Sequence, residues 1–344
     1  MPPPGAVGHQ RRRAGRHGPA RHPHPHPVAR RGARVISPTR PYAGVVPPVL
    51  TPLTADGEVD VPSLERLVAH LLDAGCHGLF PLGSSGETVY LTDAQRDLAL
   101  EVVVKTTAGA VPVIAGCIEP TTARVLGRTR AAEFLGADAV VVTAPFYTLV
   151  GPHEVERHFR AVAERTALDV LAYDIPACVH TKLPVELQLR LAVDGVLAGV
   201  KDSSGDDVAF RQLLVAVAEQ GLEYAALTGH EVVVDGMLLA GADGSVPGLG
   251  NVDPAGYVRL HAAAAAGDWT TARAEQDRLV QLFRVVDAAD PRTTHGSTRG
   301  VGGFKTALAL LGVIETNTVS LPMRSLDAEE TARVRAVLES TGLL

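Results

Sequence analysis

Aromatic residues are scarce: one Trp, six Tyr and seven Phe make up 4% of the 344 residues. That argues against a ring-lined binding surface of the kind that stacks nucleic-acid bases. Cysteine is sparser still. Cys76, Cys117 and Cys178 are odd in number and far apart, so they suggest neither a disulfide framework nor a metal site and fit a reducing, cytoplasmic compartment. No run of 18 apolar residues occurs, so no membrane span is expected. Acid is missing from residues 1–40, which hold nine Arg and no Lys; removing those nine charges from the net −6 leaves −15 on residues 41–344. So acidic a body is a poor partner for nucleic acid. The first 40 residues, with His22-Pro-His-Pro-His-Pro27, lack the apolar core of a secretory signal. They read as a disordered basic extension. Their composition also suits a polybasic arm or a weak metal-binding tract.

What the chain has is 46% hydrophobic residues, mostly Ala, Val and Leu, in a regular alternation that starts at Tyr42. Short apolar runs at 44–50, 78–82, 111–115, 139–143, 169–173, 197–200, 224–228 and 244–247 read as strands. Helical spacing follows each, at 61–75, from Thr92, and at 121–135, 153–166, 184–193, 206–220, 232–240 and 253–266. Continuous apolar strands separated by helices imply a parallel sheet covered on its outer face. Eight repeats predict an α/β fold, a (β/α)₈ TIM barrel over residues 41–268. An open doubly wound sheet is the alternative, but no Gly-x-Gly-x-x-Gly follows the first strand. After Trp269 the strand signal stops. Residues 269–287, 304–312 and 326–341 read as helices of a C-terminal helical appendage, 269–344, with 290–303 as a polar, glycine-rich connector.

In such a barrel the site forms at the C-terminal ends of the strands. Lys201 ends the sixth strand, Leu197-Ala-Gly-Val-Lys-Asp-Ser-Ser-Gly205. Lysine is among the residues least often buried. Its amine either reaches solvent or a carboxylate, Asp202 being nearest, or it serves chemistry. Burial disfavours the ammonium, and a neutral amine forms a Schiff base with a keto acid. Tyr173 ends the fifth strand and Tyr147 follows the fourth. The second strand ends in Gly83-Ser84-Ser85-Gly86-Glu87, which is either an ordinary turn or a carboxylate cradle of backbone amides and hydroxyls. Glu87 reads as a structural acceptor for turn amides. His77, His180 and His230 share no metal spacing, so neither metal nor cofactor is expected.

The combination resembles the dihydrodipicolinate synthase and N-acetylneuraminate lyase family of pyruvate-dependent aldolases and lyases. The matching motifs are Gly83-Ser-Ser-Gly-Glu87, Tyr173-Asp-Ile-Pro176 and Gly199-Val-Lys-Asp-Ser-Ser-Gly205, with support from Leu239-Ala-Gly-Ala-Asp-Gly244 and Leu321-Pro-Met323. The resemblance implies that Lys201 forms an imine with pyruvate or a 2-keto acid. It implies that Ser85 and the amides of Gly83 to Gly86 hold the carboxylate, and that Tyr173 shuttles protons through Ser84 to a second tyrosine, Tyr147, from a neighbouring subunit. It therefore implies a homo-oligomer, dimer or tetramer. Cys178, Ser203, Gly229, Glu231 and Val246 are expected on the substrate side of the mouth. In the synthase subgroup, which joins pyruvate to aspartate semialdehyde, an arginine two residues past the Tyr-x-x-Pro proline grips the aldehyde's carboxylate. Here that residue is Cys178, which cannot make a bidentate pair, leaving only His180 nearby. Ile175-Pro-Ala and Lys182-Leu183 stand closer to the sialic acid lyases, but Gly229-His230-Glu231-Val232 carries one acid where those carry two. Another aldehyde or a sugar-derived keto acid is expected. The alternatives are 4-hydroxy-tetrahydrodipicolinate synthesis and a non-catalytic relative that binds a keto acid.

Overall fold

Proline decides how much of each apolar run becomes ladder. In the computed structural model, which describes Met1 and residues 42–344, seven parallel strands form one sheet: β1 (Gly44–Val45), β2 (Ile114–Gly116), β3 (Ala139–Thr143), β4 (Asp169–Asp174), β5 (Gly199–Asp202), β6 (Ala225–Thr228) and β7 (Gly244–Ser245). Their order is β1-β7-β6-β5-β4-β3-β2. The run expected over 44–50 keeps only two ladder residues because Pro47 and Pro48 bring no N–H. The run 78–82 is too broken by Pro81 for a regular strand, yet it lies between β1 and β2. Phe80 N donates to Pro47 O (3.0 Å), and Val49 N donates to Phe80 O (2.9 Å). On the other side Leu79 N donates to Pro112 O (2.9 Å) and Ile114 N to Leu79 O (2.8 Å). This eighth segment bonds both edges of the sheet and joins them, as an α/β TIM barrel requires.

The helices start where capping chemistry sits. Asp60 accepts from Ser63 N to open α1 (Val61–Asp73), and Thr92 with Gln95 forms a capping box at α2 (Asp93–Thr107). Next come α3 (Thr122–Leu135), α4 (Pro152–Ala163), the single turn α5 (Pro176–Val179), α6 (Val185–Val193), α7 (Asp207–Glu219), α8 (Val234–Leu239) and α9 (Pro254–Ala265). Leu64, Leu67, Val68 and Leu71 of α1 are buried, one apolar stripe at helical spacing.

Past the last strand lie α10 (Trp269–Phe283), α11 (Gly296–Leu310) and α12 (Ala328–Ser340). Here the expectation fails at one point: 290–303 is not all connector, because α11 already begins at Gly296. Its glycines serve packing. A Cβ on Gly303 would stand 2.6 Å from Val285 O, and one on Gly302 would stand 2.6 Å from Leu326 Cδ1. No helix among the described residues is long and apolar enough to cross a membrane. The basic extension expected over 1–40 lies, Met1 apart, outside the described residues.

Candidate active site

Strand parity sets the chemistry of β4 and β5. The two pair in register, Tyr173 beside Lys201 and Asp174 beside Asp202. Successive side chains point to opposite faces of a strand, so the tyrosine and lysine share one face and the two aspartates the other. Phe80, from the segment beyond β2, meets Tyr173 edge-on at 6.1 Å between ring centroids. Strands on opposite sides of the ring touch only across its interior, so this face is the inner one. Lys201 is 5% exposed. Its Nζ donates to Tyr173 Oη at 3.0 Å and lies 4.2 and 4.9 Å from the Tyr173 and Phe80 ring centroids. Among the described residues it forms no ion pair. Pairing with Asp202, the ordinary alternative for this lysine, is thus overturned. Asp202 points the other way, and its Oδ1 accepts Ser204 N (2.9 Å) and Oγ (2.7 Å).

On that opposite face Lys182 bridges the aspartates. It pairs with Asp174 and lies 3.4 Å from Asp202 Oδ2. Burial pushes the Asp174 carboxyl up to about 6, against the pull of Lys182. Burial alone would lower the Lys182 ammonium, but its contacts with Asp174 and Asp202 outweigh that and hold it above its ordinary value.

The polar chain runs on from Tyr173 to the Gly83–Gly86 turn, where Ser84 Oγ lies 3.3 Å from Tyr173 Oη. Gly83, Ser84, Ser85 and Gly86 have backbone N–H groups with no partner among the described residues. Two non-glycine residues in left-handed backbone, Leu82 (φ 60°) and Glu87 (φ 59°), bracket them. The turn is pressed against its neighbours. A Cβ on Gly116 would stand 1.9 Å from Leu82 O, and one on Gly86 would stand 2.9 Å from Val49 O. Consecutive free amides are a cradle for an anion. The turn thus lies at the end of a polar line that starts at a buried amine and passes through a phenol.

Not every expected residue joins this chain. Tyr147 is 95% exposed, has φ 73° and makes no hydrogen bond within the described residues. Its neighbours Thr121, Thr122, Phe146, Arg157 and His158 line a cavity of about 650 Å³ that does not include Lys201. Ser203 is half-buried, and its Oγ would stand 2.1 Å from a Cβ on Gly229, so the glycine makes room for the hydroxyl. Val246 is buried after β7. Cys178 is exposed on α5, and both it and Glu231 lie within the field of Lys201. Burial pushes the Glu231 carboxyl up to about 7, against the Leu249 N–H it accepts at 2.7 Å and the lysine's field. Glu87 does accept an amide, but from the C-terminal segment rather than the turn: its Oε2 takes Ser320 N at 2.7 Å. The sequence reading missed Phe80, the Lys182 bridge and the partner of Glu87, Lys305. Lys305 alone had a signal, a single charge within Val301–Leu310.

Comparison with known proteins bears on this geometry. Residues 41–341 match the model of the dihydrodipicolinate synthetase family. A 4-hydroxy-tetrahydrodipicolinate synthase of Phenylobacterium zucineum is 32% identical over 306 residues, 88% of this chain and 98% of that one. An uncharacterized DapA-like lyase of Halobacterium salinarum is 36% identical over 301 residues, 88% and 94% of the two chains. Among solved structures, YagE of E. coli K12 is a prophage protein of the dihydrodipicolinic acid synthase family, determined in complex with pyruvate. It superposes with a TM-score of 0.82 at 29% identity over 88% of this chain and 99% of its own.

Proposed function

We propose that Lys201 is the Schiff-base lysine of this chain, which belongs to the dihydrodipicolinate synthetase family and is therefore a class I, pyruvate-dependent lyase of the aldolase type. The observation that carries the assignment is the unbroken line Lys201 Nζ–Tyr173 Oη–Ser84 Oγ ending at a turn of free amides. The keto acid's carboxylate sits on the Gly83–Gly86 amides with the Ser85 hydroxyl. Lys201 attacks the adjacent carbonyl carbon, and Tyr173 donates the proton with which the carbonyl oxygen leaves as water. The iminium then draws electrons from the methyl carbon, whose proton is lost to give an enamine. The enamine adds to an aldehyde, and water frees the product; cleavage runs the same steps backwards. We assign the barrel, 41–268, the catalytic groups and read 269–344 as its helical appendage. Tyr147, solvent-facing in its own subunit, is free to complete the proton relay of a second copy, which suits a dimer or tetramer. Three free cysteines suit the cytoplasm.

The aldehyde follows from charge. The loops after the strands carry no arginine. Their basic side chains are Lys182, held by two aspartates, the exposed His180, and His230, whose Nδ1 lies 3.2 Å from Asp207. No guanidinium waits for a second carboxylate where Cys178 stands, and Glu231 and Ser203 suit hydroxyls. The aldehyde partner is thus a neutral, hydroxyl-bearing one. Aspartate semialdehyde is the second reading, favoured by the likeness to the Phenylobacterium synthase.

Borohydride reduction with pyruvate tests the assignment: the adduct mass should fall on the peptide holding Lys201. An adduct on another residue, or none, overturns it. Condensation of pyruvate with glyceraldehyde and with aspartate semialdehyde, run side by side, decides between the two aldehydes.

A further inference from the structure

The cradle has a second buried lysine behind it. Lys305 lies in the apolar middle of α11, and its side chain and that of Glu87 are both 0% exposed. The Lys305 ammonium pairs with Glu87 Oε1 and donates to Thr318 O at 2.8 Å. Glu87 Oε2 takes the Ser320 N–H. One carboxylate, at the residue that ends the Gly83–Gly86 turn, therefore receives a cation from α11 and an amide from the segment before α12.

For stability alone the arrangement is a poor choice. A buried ion pair seldom outperforms well-packed apolar residues of similar volume. Burial pulls the Lys305 ammonium below its ordinary range, against the field of Glu87. The turn it reaches is itself unfavourable. Leu82 and Glu87 both hold left-handed backbone without being glycine, and the four amides between them have no partner among the described residues. Such a conformation persists only where its surroundings over-determine it. Thr51 Oγ1, donating to Gly86 O at 2.8 Å, is a second tether on the same turn.

We propose that Lys305 is a positioning residue. By anchoring the Glu87 side chain it holds the Leu82–Glu87 turn in the shape that aims its free amides at one point, so affinity for the keto acid depends on a side chain of α11. This rests on the reading of the turn as the carboxylate cradle. An anion held only in the cradle is held alike before and after reaction, so a loosened turn weakens binding more than chemistry.

The test compares wild type, Lys305→Met, Glu87→Gln and the double variant. It measures the pyruvate concentration that half-saturates borohydride trapping, kcat at saturating pyruvate, and thermal stability. Lys305→Met should raise half-saturation on the order of 10- to 100-fold, with a much smaller fall in kcat. The double variant, which leaves no unpaired buried charge, should regain stability yet keep the raised half-saturation. A role confined to stability would instead return half-saturation to wild type as stability recovers. Wild-type half-saturation in a folded Lys305→Met or double variant overturns the proposal. So does failure of all three variants to fold, since the pair would then be a requirement of the fold. If wild type gives no adduct on Lys201, the proposed function fails instead, and the two failures are distinct.

Discussion

Lys201 and Lys305 are both buried, 5% and 0% exposed, but in opposite company. Lys305 meets a carboxylate and a carbonyl. Lys201 meets the phenol of Tyr173 and the ring of Phe80, and forms no ion pair with a carboxylate among the described residues. Withdrawing an ammonium from water is costly, and a counter-ion offsets much of the cost. Where the charge itself is used, the chain supplies an acid. Around Lys201 it supplies neutral groups, and Asp202, the next residue, lies on the far side of the strand.

Substituting both lysines by methionine breaks this comparison most directly. Lys201→Met should lower turnover roughly 10⁴-fold or more, with little loss of stability. Lys305→Met should cost about 3–5 kcal/mol of stability, because it leaves Glu87 buried and unpaired. Denaturant titration beside steady-state assays reads both, and equal destabilisation by the two changes would erase the distinction. Tyr173→Phe keeps the ring beside Lys201 and removes the hydroxyl. It should lower kcat by roughly 10²–10⁴ while pyruvate still traps on the lysine; an unchanged kcat would remove the phenol from the relay.

Smaller effects follow from pH. The Asp174 carboxyl is raised from 3.8 to about 6 in the folded state, so folding favours its protonated form. Its contribution is complete below the unfolded value and is lost as pH rises through about 6, worth roughly 3 kcal/mol at most. Asp174→Asn should flatten the stability profile between those values. Glu231, raised to about 7, is neutral below that pH and anionic above it. Then kcat/KM for a carboxylate-bearing aldehyde should fall a few-fold as pH rises through about 7. The value for a neutral aldehyde should hold, and Glu231→Gln should abolish the difference.

Much of this was legible in the chain. The run 139–143 coincides with β3 and Thr92 caps α2, because apolar continuity and capping act over a few neighbours. That Lys201, Tyr173 and Ser84 come together is legible because Lys201 and Tyr173 lie near the C-terminal ends of neighbouring strands and Ser84 follows the apolar run 78–82. What stayed hidden depends on partners far away in sequence. Nothing near Asp202 says that Lys182 holds it, and nothing near Glu87 points to residue 305. The connector read over 290–303 erred because glycine marks a turn and a tight helix contact alike. Nothing near Tyr147 in the sequence says that its side chain will face solvent.

Side chains alternate along β5. Only parity decides that position 201 looks into the ring and 202 out of it. Inserting or deleting one residue inside this short strand would swap them, presenting an acid to the cavity and the amine to the helical shell. A one-residue insertion or deletion within the strand would therefore undo the arrangement of Lys201 beside Tyr173. New substrates must come from rebuilding the rim.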